Sequence, residues 1–180
     1  MLALRKMDGS EAPDQYVPLN IPGTHRPDPY APQQGFLGPA WGEVRPFGEA
    51  AGVMKTTARL TPPLGVLGGP IPAHGSYLTN PAWLAELREA RDYGGKAGTN
   101  GLLRTPEQTI VGTFWGYDGA RDIGVPPRLY NQCLQAISIK AAFNEEQNAV
   151  LFAVGNMAMA DAGIAAWKSK YTYQDRKSVV

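Results

Sequence analysis

Lys170 and Trp167 stand three residues apart near the end of a long apolar stretch, AVLFAVGNMAMADAGIAAWKSKY. At helical spacing Asn156, Met159, Gly163, Trp167 and Lys170 fall on one stripe, so the ammonium projects beside the indole, and Gly163 with its neighbouring alanines leaves that stripe open to close packing. A lysine held there can act as a fixed point charge on an oxyanion. The same position also suits an ordinary lysine that snorkels at a helix C-terminus and gains from the helix dipole. Asp118 is expected to end a second, otherwise apolar helix running through IVGTFWGYD, directly before Gly119. A carboxylate at the rim of a core either orients another group or is merely solvated.

Other reactive residues point to bland roles. Cys133 has no histidine near it and shares a helix face with Leu129 and Ile137, which predicts a small core residue. As the single cysteine it excludes an intramolecular disulfide and a multi-cysteine zinc cluster. The two histidines, His25 and His74, are not in metal-ligand spacing. Gly94, Gly95, Gly98 and Gly101 follow a helix rather than a strand and lack a Gly-Lys-Ser/Thr ending, so they read as a helix stop and connection. With 17 Lys and Arg against 16 Asp and Glu, the net charge of +1 supplies no field for nucleic acid or an anionic membrane.

The elements that must position these residues follow from the prolines. Twelve of the 16 fall within residues 1–75 and four in 76–180. Proline removes a donor and drives the preceding residue out of the helical region, so the first part is expected to be a long irregular strap. Its Tyr16, Tyr30, Phe36, Trp41 and Phe47 predict packing over helices, with Trp41 and Phe47 as anchors. In the second part each proline opens a helix: Asn80-Pro81, Thr105-Pro106 with Gln108 completing a capping box, and Pro126-Pro127. Asn144 and Gln147 cap a fourth and longest helix. No alternating strand pattern appears, so the expected class is all-α, a helical bundle preceded by a Pro/Gly-rich strap. The stretch from Ala149 to Trp167 is long enough to raise a membrane question, yet Asn156 and Asp161 near its middle favour the interior of a large soluble domain. The opening MLALRKMDGSEAPDQY does not read as a secretory signal, and the compartment stays open.

FWGYDGARDIGVPPRLYNQ followed by DAGIAAWKSKY closely resembles the vanadium-dependent haloperoxidases of bacterial type, which share a helical scaffold with the type 2 phosphatidic acid phosphatases. The residues carrying the likeness are Phe114, Trp115, Tyr117, Asp118, Gly119, Ile123, Gly124, Pro126, Pro127, Arg128, Tyr130, Asn131 and Gln132, then Asp161, Ala162, Gly163, Ile164, Trp167, Lys168 and Lys170. A weaker likeness extends to the strap from Trp41 to Phe47. The resemblance implies that Lys170 binds an oxygen of vanadate and polarises bound peroxide, as a cation at an anionic cofactor would. It implies that Trp167 lines the halide pocket and that Asp118 orients a histidine beside vanadate. None of these residues would ligate vanadium directly.

The likeness also has an edge. The family places an arginine followed by proline seven residues after its lysine, and later histidine-bearing segments; here Lys177 holds the arginine place, Arg176 is one position early and no proline follows. The expectation is an incomplete domain: a strap over 1–75, a four-helix part over 76–174 and a non-native tail over 175–180. Such a fragment is expected to be inactive alone and to hold vanadate incompletely. Its intact parent would use hydrogen peroxide, halide and an organic substrate, with oligomerisation open and neither nucleic acid nor membrane as partner. Two rivals stay in view: an acid phosphatase on the same scaffold, with Lys170 on substrate phosphate, and a non-catalytic helical interaction protein. The fragment reading further predicts exposed apolar faces on the last helix.

Overall fold

A computed structural model describes residues 2–20, 24–50, 76–96, 98–116 and 125–173. The described residues are all-α: α1 (Leu2–Arg5), α2 (Phe47–Ala50), α3 (Pro81–Gly94), α4 (Pro106–Trp115), α5 (Pro126–Ala141) and α6 (Glu145–Tyr173), with 3-10 turns at Trp41–Glu43 and Ser76–Thr79. Among them the nearest thing to a strand is one isolated bridge between Asp28 and Ala31.

The helix starts follow local chemistry. Asn80 accepts from the Ala82 amide at 2.9 Å with Pro81 in the first helical position, where a missing N–H costs nothing. Thr105 and Gln108 form a reciprocal box at 2.9 and 3.1 Å. Asn144 and Gln147 repeat it at 3.0 and 2.9 Å to open α6. The α5 helix ends at Ala142, whose φ of +52° turns the chain back sharply into α6.

α5 and α6 therefore form an antiparallel hairpin. Near its turn Ser138 and Asn148 are hydrogen-bonded. Two turns further out Asn131 and Asn156 exchange amide hydrogen bonds at 3.0 and 2.9 Å. Between these polar bridges the helices come close at Gly155, where a Cβ would sit 2.6 Å from Leu134 Cδ1. The connection leading into α4 folds back on the end of α3, Leu103 N–H donating to Asp92 O at 2.9 Å and Arg104 to Tyr93 O at 2.6 Å. Among the described residues α3 and α4 do not pack on α5 or α6.

The buried centre lies where the strap crosses α6. Val44 and Ile164 are its buried apolar side chains, with Pro46 fully enclosed. Gly42 lies so close to α6 that a Cβ would meet Lys168 Cα at 2.5 Å, so only glycine allows this approach. The N-terminal segment covers the strap in turn: Arg45 N–H donates to Asp8 O at 2.8 Å, and the Arg5 guanidinium lies 4.0 Å over the Phe47 ring. Trp41, expected as an anchor, is instead 43% exposed, and the inward positions are the alternate residues Gly42, Val44 and Pro46. Gly42 faces inward from the 3-10 turn, and Val44 opens the extended backbone that follows it and leads to Pro46. Cys133 is also exposed, contrary to its expected core position. Its apolar neighbours on α5 do not share one covered face, since Ile137 is exposed as well.

Candidate functional site

The last three turns of α6 carry the strap on one side and a cation on the other. The Asp161 carboxylate is buried, and each oxygen accepts one backbone amide of α2, Phe47 and Gly48, both at 2.7 Å. A buried carboxylate is tolerable when its charge is so satisfied, and here it fills donor positions that a helix start leaves open. Two turns later Trp167 Nε1 and the Tyr171 hydroxyl both donate to the carbonyl of Leu37, at 2.9 and 2.8 Å. Four residues apart, the two rings share one helix face and one acceptor.

Lys170 stands between them in sequence and near both in space. Its Nζ lies 5.5 Å from the Trp167 ring and 5.9 Å from the Tyr171 ring, within reach of both π-faces. Among the described residues no carboxylate pairs with this ammonium, whereas Lys168 reaches Glu43 at 3.5 Å. Tyr171 is packed further by Tyr16 and His25, at 5.1 and 5.5 Å between ring centres, and Phe36 lies against both of these at 4.6 and 4.9 Å. Burial in this cluster, and after it the neighbouring Tyr16 and Asp14, push the Tyr171 phenol above its ordinary range. The hydroxyl that donates to Leu37 is therefore held protonated.

The structure thus brings Lys170 and Trp167 together as their spacing requires. Asp118 lies outside the described residues, as do Tyr117, Arg121 and Asp122. The stripe of small residues has a different use from the expected one. Nothing lies within 4 Å of a Cβ built on Gly163, and the close approaches occur at Gly155 and at Lys168 beneath Gly42. Asp161, Tyr171 and the Leu37 carbonyl were not singled out by their chemistry. For Asp161 a signal existed: a lone carboxylate in an apolar helix must find donors or stay out of the core. A backbone carbonyl such as that of Leu37 carries no side-chain signal at all.

No protein-family model matches the chain, and no solved structure matches it. The chain is similar to an enzyme class whose chemistry an available cation would serve, the vanadium haloperoxidases. The relative is vanadium chloroperoxidase of Curvularia inaequalis, 37% identical over 97 residues. The match covers 49% of this chain and 16% of that protein, so the chain spans a small part of the curated relative's length. The likeness supports a vanadium haloperoxidase-like relationship over that part.

By chemistry the described residues fit an oxyanion cofactor in part. Lys170 is a cation without a competing carboxylate, beside aromatic walls. Among the described residues no group of His, Cys, Asp and Glu that would hold a metal ion directly occurs.

Proposed function

We propose that this chain forms part of a vanadium-dependent haloperoxidase, with Lys170 as one donor to an oxygen of bound vanadate. The observation that carries the reading is the Lys170 ammonium, free of any carboxylate among the described residues and near two rings. In the intact enzyme vanadate would activate hydrogen peroxide, which is reduced to water as halide is oxidised to a hypohalous species. Trp167 would offer a halide its ring rather than its N–H, because Nε1 is already engaged with Leu37. Asp118 would orient a histidine beside vanadate. The remaining donors would come from elsewhere in the intact enzyme. The exposed Val150 and Val154 of α6 and Ile137 and Ile139 of α5 support a domain larger than these helices.

Vanadate and phosphate share charge and geometry, so the same ammonium also suits a phosphatase of the same scaffold. The identity to a chloroperoxidase favours the peroxidase. The enzyme expressed from the complete gene should oxidise bromide only when vanadate is supplied, and Lys170→Ala should lose most of that activity. Phosphate-ester hydrolysis without peroxidase activity would defeat the proposal.

A further inference from the structure

We propose that Tyr171 is a positioning residue for the Lys170 cation: with Trp167 it clamps the strap carbonyl of Leu37, and the two rings so held set where the ammonium stands. That the cation serves vanadate rests on the function proposed above; the clamp itself rests on geometry alone.

A lysine side chain has four rotatable bonds and needs walls to become a fixed charge. Here both walls are on the same helix face, one residue after Lys170 and three before it. Each wall donates a hydrogen bond to the Leu37 carbonyl, at 2.9 Å for Trp167 and 2.8 Å for Tyr171. One carbonyl has two lone pairs, so it accepts both donors without competition. That carbonyl is itself located by the strap. Gly38, with φ of +61°, turns the chain directly after Leu37, and its missing side chain leaves room for the indole, since a Cβ there would meet Trp167 Nε1 at 2.8 Å. Tyr16 and His25 close the far side of the Tyr171 ring. A segment more than 130 residues upstream thus fixes the surroundings of Lys170 without touching its nitrogen.

Tyr171→Phe keeps the ring and removes only the hydroxyl. In NMR spectra of the 180-residue chain, the Lys170 ε-methylene protons should show NOEs to both rings and an upfield ring-current shift. In Tyr171→Phe that shift should fall back toward the value of free lysine. In the enzyme from the complete gene, the same variant should raise the dissociation constant for orthovanadate about three- to tenfold, the usual cost of one lost hydrogen bond. An unshifted Lys170 without ring NOEs in the wild-type chain overturns the clamp with no variant needed. So does a Tyr171→Phe variant that keeps both the shift and the vanadate affinity. If the clamp holds by NMR while Lys170→Ala binds vanadate like wild type, the functional reading fails and the positioning role stands.

Discussion

Asp161 and Phe47 are 114 residues apart in sequence and 2.7 Å apart in space, the carboxylate accepting the amide that opens α2. The second oxygen takes the next amide, that of Gly48, at the same distance. Two successive donors on one buried carboxylate make this a charge-assisted tie between the strap and α6. Removing it leaves both amides without their acceptor in a place water does not reach freely. Asp161→Ala should destabilise the chain by about 3 kcal/mol, and Asp161→Asn, which keeps one acceptor oxygen, by about half as much. Denaturant unfolding measures the loss, and limited proteolysis should cut Asp161→Ala first within the strap.

The two glycines on either side of this contact should respond in opposite ways. At Gly42 a Cβ would land 2.5 Å from the Lys168 Cα, a backbone atom that cannot step aside. Gly42→Ala should therefore cost about 1–3 kcal/mol through forced separation of strap and helix. At Gly163 a Cβ meets nothing within 4 Å. Gly163→Ala should be neutral or stabilising by up to about 1 kcal/mol through helix propensity. Thermal melts of the pair decide the matter, and equal shifts would contradict the close approach.

Cys133 should be open to solvent on α5. An aromatic disulfide reagent should titrate one thiol per native chain at a rate near that of the denatured chain. A protected thiol would return Cys133 to the core position that its neighbours in sequence suggested.

Tyr171 and Asp8 each make the stability of the fold depend on pH. Tyr171 is pushed above its ordinary 10.0, by burial first. Its contribution is complete below pH 10.0 and is lost as pH rises through the higher folded value, because a phenolate cannot donate to Leu37. Asp8 moves the other way. The Ser10 amide, at 3.0 Å, holds its carboxyl below the ordinary 3.8, with the Ser10 side chain and Arg5 adding to the effect. Its contribution is complete above pH 3.8 and is lost as pH falls through the lowered value. Phenolate absorbance should report Tyr171 ionising later in the folded chain than in the denatured chain, and Asp8→Asn should flatten the acid limb of the stability profile.

The all-α class was legible because its signals are local. Asn80, Thr105 and Asn144 cap the helices they precede, and Pro81, Pro106 and Pro126 start them, each by satisfying or removing a donor within one turn. The pairing of Lys170 with Trp167 was legible for the same reason, since three residues of helix fix their relation. Local rules do not reach across the chain. They put Trp41 inside and Cys133 in a core, whereas the seating of the Trp41–Glu43 turn on α6 decides which residues face inward, and that seating depends on Gly42 and Lys168 together.

From the sequence by itself came the four helices α3 to α6, their starts and the cation beside an indole, because each is settled by neighbours within about four residues, whereas α4 ends at Trp115, short of the end expected at Asp118. Only the tertiary structure decided that Asp161 holds the strap, that Gly42 is the point of closest approach and that Leu37 presents one carbonyl to two rings. These are relations between segments more than 110 residues apart, set by packing and by backbone groups identical at every position.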